Sequence, residues 1–103
     1  LNAVWRDNTL WTTAQVVPGA GPDLGQATAH WFRLDTTNLA ALSVTDQGDV
    51  GGNDIDAGAH TFMPSIMVDQ SGNMAMGFSL SSPNHYAGAY YTCRAATDPA
   101  GSV

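Results

Sequence analysis

TFMPSIMVDQSGNMAMGFSLSSPNHYAGAYYTCR, residues 61–94, decides the fold. It divides into three apolar runs, 62–68, 73–80 and 86–94, and Asp69-Gln70-Ser71-Gly72 separates the first two. Asp bonds its own downstream backbone and Gly accepts positive φ, so this tetrapeptide turns the chain. In the first run Phe62 and Met63, and again Ile66 and Met67, put large side chains on both faces. A strand apolar on both faces needs cover on both sides, which makes 62–68 the expected central strand of a layered structure.

Outward from that block, strands and turns continue to alternate. Asp7-Asn8 stands between Val4-Trp5-Arg6 and the run 9–17, a tight-turn signal after the end of a first strand. In 9–17, Leu10, Thr12, Ala14 and Val16 alternate with Thr9, Trp11, Thr13 and Gln15. Pro18-Gly19-Ala20-Gly21-Pro22-Asp23 breaks regular structure, because proline removes a donor and glycine permits positive φ. Residues 27–35 set Ala29, Trp31 and Arg33 against His30, Phe32 and Leu34, and 39–45 set Ala40, Leu42 and Val44 against Ala41 and Ser43. Residues 46–60 form an Asp- and Gly-rich connection.

Six substantial strands with short connections predict an all-β fold of antiparallel sheets, either a β-sandwich or the blades of a β-propeller. Stacked sheets bury alternate residues, and the predicted core is Leu10, Val16, Phe32, Leu42, Ile66, Phe78 and Tyr91, with no helix longer than three turns. Met63, Met67, Met74 and Met76 fall at strand spacing and are expected to fill that core.

Composition narrows the function. The 103 residues make one domain. They include no Glu and no Lys, so nine Asp and three Arg leave a net charge of −6. Arg6, Arg33 and Arg94 cannot form the basic stripe that nucleic acid requires. No apolar run approaches the ~20 residues of a membrane-spanning helix. One cysteine, Cys93, excludes an intrachain disulfide and a multi-thiolate zinc site. Among apolar neighbours, with no adjacent base, it is expected to be a buried, inert thiol.

The succession VWRDNTLWTTAQV, AHWFRLDTT, FMPSIMVDQSGNMAMGFSLSSP and YAGAYYTCRAATDPAG resembles the repeats of sialidase-like β-propellers of secreted bacterial proteins. The resemblance covers nearly the whole chain and implies an extracellular or cell-surface location. It implies about two blades, with 1–50 supplying outer strands of one blade that lacks its inner strand, and 61–103 supplying the inner strands of the next. The Asp-box of that family, Ser-x-Asp-x-Gly-x-x-Trp, is approximated only by Asp69 and Gly72. Its nucleophile pair is Tyr with Glu, and this chain has no Glu. The resemblance therefore carries a scaffold without its chemistry.

Four groups of residues are candidates for a site. Asp46, Asp49, Asp54 and Asp56 lie in a Gly-rich stretch whose carboxylate and carbonyl oxygens suit calcium, although the same residues also serve a plain connecting loop. Tyr90, Thr92 and Arg94 alternate onto one strand face, where a ring and a guanidinium suit a sugar or an acidic ligand, or simply pack on each other. His30, His60 and His85 lie on separate elements without ligand spacing. No phosphate loop or nucleophile elbow is present.

Two function classes follow. One is a non-catalytic structural or binding module acting through surface recognition, with glycans among its ligands, or through self-assembly. The other is a fragment of a glycan-processing hydrolase. A two-blade unit leaves apolar faces open, so a homo-oligomer, or cover by the rest of a longer chain, is expected, with Trp5, Trp11, Trp31, Met63, Met67 and Tyr90 at the interface. Asp98-Pro99-Ala100-Gly101 is a turn signal that stands at the end of the sequence, as though a further strand were to follow.

Overall fold

The computed structural model describes residues 2–21, 23–99 and 101–102. Seven strands occur in these residues: β1 (Ala3–Arg6), β2 (Thr9–Val16), β3 (Thr28–Asp35), β4 (Ser43–Val50), β5 (His60–Val68), β6 (Met74–Ser82) and β7 (His85–Arg94). They form two antiparallel sheets, four strands in the order β1-β2-β3-β4 and three in the order β5-β6-β7. The described residues contain no helix, so the all-β expectation holds.

Each hairpin has a local cause. Asp7 and Asn8 adopt φ of 52° and 57°, the left-handed pair whose twist matches a two-residue hairpin. At the β5–β6 turn Asp69 Oδ1 accepts from the Ser71 and Asn73 amides at 2.8 and 3.0 Å, and Oδ2 accepts from Asn73 Nδ2. Gly72 completes that turn at φ 83°.

The strand register assigns the faces. In the first sheet Val4, Trp11, Arg33 and Asp46 form one cross-strand row, and Thr13, Trp31 and Gly48 the next, all turned inward. In the second sheet Ile66, Met76 and Thr92 form an inward row, as do Val68, Met74 and Arg94. Trp11, Trp31, Ile66, Val68, Met74, Met76, Phe78 and Leu80 make the core between the sheets, with Ala29, Val50 and Ala59.

Several expectations need correction. Of the predicted core, Ile66 and Phe78 are buried, but Leu42 is 51% exposed and Tyr91 81%. Leu10, Val16 and Phe32 are half-buried on the opposite face of their sheet. Trp11 and Trp31 are core residues and are closed to an intermolecular interface, because the larger rings claim the interior and stack at 5.9 Å. Met74 and Met76 are buried, whereas Met63 and Met67 are exposed. The cause is a bulge: Met63 sits at φ 51° and the register shifts between Phe62 and Ser65, so Pro64, Ile66 and Val68 turn inward. Strand β5 lies at the edge of its sheet and β6 is the central strand. Cys93 is exposed, since Arg94 beside it takes the inner face.

The fourth strand runs over Ser43–Val50, later than the predicted 39–45. Residues 38–41 are a turn in which Asn38 Oδ1 accepts from the Ala40 amide. Asp46 and Asp49 therefore belong to a strand, and the connecting loop begins after Val50.

Strand β5 joins the sheets. The Asn2 side chain brackets the Ile66 backbone, accepting from its amide at 2.7 Å and donating to its carbonyl at 2.9 Å. Thr61 Oγ1 donates to the Val50 carbonyl and accepts from the Ala29 amide. The Asn2 bonds satisfy the Ile66 backbone on the free edge of β5, and the Thr61 hydroxyl satisfies the Ala29 amide of β3 and the Val50 carbonyl of β4.

Candidate functional site

The inner face that carries Tyr90, Thr92 and Arg94 runs from core to surface. At the inner end Arg94 is 3% exposed, its Nη2 donating to Asp46 Oδ2 at 2.9 Å and to the Asp98 and Pro99 carbonyls. Its guanidinium lies over the Trp31 ring at 5.2 Å. Arg33 covers Trp11 in the same way at 5.6 Å, so the two stacked tryptophans are capped at both ends by arginine. Arg94 is thus a structural residue, closed to an external ligand. Alternation in the sequence already places Trp11 and Trp31 opposite Leu10 and Phe32, and that parity is the signal that could have found the column.

Toward the surface, Tyr90 stacks on Phe78 at 6.3 Å and borders a cleft of about 280 Å³. Asp49, Asp54, Tyr90, Tyr91 and Thr92 line it, with Val50, Gly51, Ile55 and Phe78 as apolar wall. Two groups of candidates that the sequence holds apart, Asp49 and Asp54 with Tyr90 and Thr92, meet here.

The wall at Asp54 is held by amide bonds. Asn53 Oδ1 accepts from Gln26 Nε2 and from the Gly58 amide, and Asn53 Nδ2 donates to Asp23 Oδ1. A β-carbon at Gly51 would lie 2.2 Å from Asp23 Oδ1, so a larger residue there would push the Asp23 carboxylate aside. Partial burial holds the Asp23 carboxyl above its ordinary range, and the charges of Asp49 and Asp54 push it the same way. This end of the molecule is acidic and rich in acceptors.

The four carboxylates proposed for calcium do not converge. Asp46 is spent on Arg94, the Gly101 amide and the Gln47 amide, in the buried layer between the sheets. Asp49 pairs with His30 on the outer face. Asp56 accepts from Ser82 and Asn84, and the Ser82 bond holds its pKa below the ordinary value. Among the described residues no group of three or more His, Cys, Asp or Glu is placed to hold a metal. The histidines stay separate: His30 Nε2 meets Gln47 Oε1, His60 Nδ1 accepts from the Ala27 amide, and His85 is exposed on β7.

A second cleft, about 330 Å³, opens between the turns at the other end and is lined by Arg6, Arg33, Asp7, Asp35, Asp69 and Trp11 among others. Asp35 and Asp69 bend their oxygens into their own turns, onto Thr37 and Asn73, and both pKa values fall as a result. Those oxygens are already engaged, whereas at the Asp54–Tyr90 cleft Asp49 is held by His30 but Asp54 faces the opening, so we place the candidate site there.

In comparisons with protein-family models, curated proteins and solved structures, nothing matches this chain.

Proposed function

We propose that the chain is a non-catalytic binding module of the secreted, sialidase-like propeller type, and that it recognises hydroxyl-rich ligands, glycans, at the Asp54–Tyr90 cleft. The observation that carries this is the meeting of Asp49 and Asp54 with Thr92, Tyr90 and Tyr91 around one opening. Carboxylates accept from sugar hydroxyls, and phenol rings cover the C–H face of a sugar while their own hydroxyls stay wet. The blade assignment draws on two hairpin-connected antiparallel sheets stacked on one core, the form that successive blades take.

The absence of Glu removes the nucleophile partner of the resembled family and favours binding over hydrolysis. The test is a panel of neutral glycans incubated with the chain, reading retained ligand and released sugar together. Retention that Tyr90→Ala abolishes, with no sugar released, supports the proposal. Sugar release above background favours the alternative, a fragment of a glycan-processing hydrolase.

A further inference from the structure

The chain carries nine Asp and three Arg, yet among the described residues only Arg94 of the three makes an ion pair. The other two, Arg6 and Arg33, line the same cleft of about 330 Å³ at the Asp69 end of the molecule. They stand on the strands that flank β2, Arg6 opposite Thr9 and Arg33 opposite Trp11. Two strand spacings across and two residues along put their backbones ~12 Å apart, a span that two arginine side chains close on one ion between them. The Arg33 guanidinium is already held on two sides: Nε donates to Thr45 Oγ1 at 3.1 Å, and Cζ lies over the Trp11 ring. Its two Nη groups have no hydrogen-bond partner among the described residues, and the Arg6 guanidinium has none either. The carboxylates of the cleft do not take them up. Asp35 accepts from the Thr37 amide and hydroxyl at 2.9 and 2.6 Å, Asp69 accepts from the Ser71 and Asn73 amides, and Asp7 forms no ion pair with either arginine. The acceptors here are turned into their own turns, and the donors are left over.

We propose that this cleft binds a small tetrahedral oxyanion, phosphate or sulfate, between Arg6 and Arg33. One guanidinium fork saturates a planar carboxylate edge-on, whereas a tetrahedral ion presents oxygens in several directions and takes a fork on each of two sides. Arg33 loses little freedom on binding, because Thr45 and Trp11 fix its orientation beforehand. Asp7, Asp35 and Asp69 keep their charges close by and oppose the ion, so the affinity is weak, with Kd on the order of millimolar, and depends on both arginines acting together. The same contacts serve a free ion and the terminal group of a monoester. The site shares no lining residue with the Asp54–Tyr90 cleft, so the proposal is independent of the glycan reading.

Arginine side-chain proton–nitrogen NMR spectra of the full chain test it, with sodium phosphate, sodium sulfate, glycerol phosphate and sodium acetate titrated in turn at fixed ionic strength and mildly acidic pH. Three arginines give three Nε signals, and the buried Arg94 is the internal reference. The expected result is that the Arg6 and Arg33 signals move saturably with phosphate and sulfate, that acetate binds several-fold more weakly, and that Arg94 stays in place. Glycerol phosphate binding as tightly as phosphate marks a monoester as the ligand, and weaker binding marks the free ion. Arg6→Gln and Arg33→Gln are each expected to weaken phosphate about tenfold, the loss of one charge-assisted hydrogen-bonding partner. Arg6 is exposed, so Arg6→Gln carries the test alone if Arg33→Gln, which uncovers Trp11, fails to fold. No saturable shift with phosphate or sulfate, acetate binding as tightly as either, Arg94 moving in step with the others, or phosphate binding unchanged in Arg6→Gln would each overturn the proposal.

Discussion

Arg94 on β7 donates to Asp46 on β4 at 2.9 Å, an ion pair that joins the two sheets inside the core with its members 3% and 6% exposed. Asp46 reaches back with its other oxygen to the Gly101 amide, and Arg94 holds the Asp98 and Pro99 carbonyls. One buried pair thus fixes the stacking of the sheets and ties down the segment after β7.

Removing one partner strands the other charge in a dry environment. Asp46→Ala is expected to cost about 3–5 kcal/mol in urea unfolding. The double change Asp46→Leu with Arg94→Met is expected to recover most of that loss, because it deletes both charges and fills the space. A double variant no more stable than Asp46→Ala would show that the pair is not the source of the cost.

Gly48 is fixed by close approach. A β-carbon there would lie 2.6 Å from the Gly101 carbonyl oxygen and 2.9 Å from Trp31 Nε1. Gly48→Ala is therefore expected to destabilise by about 1–3 kcal/mol through overpacking. Gly19→Ala, with open space around it, serves as the control. Equal melting temperatures for the two would contradict this packing.

What the sequence makes legible, and what it hides, follows from the periodicity of strands. The hairpins at Asp7-Asn8 and at 69–72 are readable because their residues carry the turn chemistry in themselves. The choice of inner face is not, because β2 and β3 have apolar groups on both sides. Leu10 and Phe32 compete with Trp11 and Trp31, and only the stack with its arginine caps decides the contest. The bulge at Met63 reverses parity within β5, so that Met67 points outward while Val68 points in. At the site, alternation groups Tyr90, Thr92 and Arg94 correctly, but the descent of that row into the core depends on a partner 48 residues away, Asp46. The meeting of Asp54 with Tyr90 is likewise a consequence of sheet stacking.

Two carboxylates should respond to pH with opposite signs. Asp69 has a lowered folded pKa, caused first by the Asn73 side chain, so its contribution is present above the unfolded value near 3.8 and is lost as pH falls through the folded pKa. Asp69→Ala is expected to lower the melting temperature at pH 7, with the gap closing as the pH falls well below 3.8. An undiminished gap in strong acid would mean that the Asp69 charge has no part in the turn.

Asp23 behaves in reverse. Its folded pKa is raised, by burial first and then by Asp49 and Asp54, so the stability linked to its proton is complete below the unfolded value and is lost as pH rises through the folded pKa. Asp23→Asn removes the charge and keeps an oxygen for Asn53. A higher melting temperature than wild type at pH 7, shrinking toward pH 3, is the expected scan. A lower one at pH 7 would show that the carboxylate is stabilising where it sits.

Calorimetric titration of the chain with a neutral glycan taken from the binding panel addresses the central claim most directly, run in parallel on wild type, Tyr90→Ala and Asp54→Asn. The account predicts saturable heat for the wild type, weakened at least tenfold in each variant, with all three melting cooperatively. Heat that persists unchanged in both variants, or no saturable binding by the wild type at millimolar ligand, would contradict it.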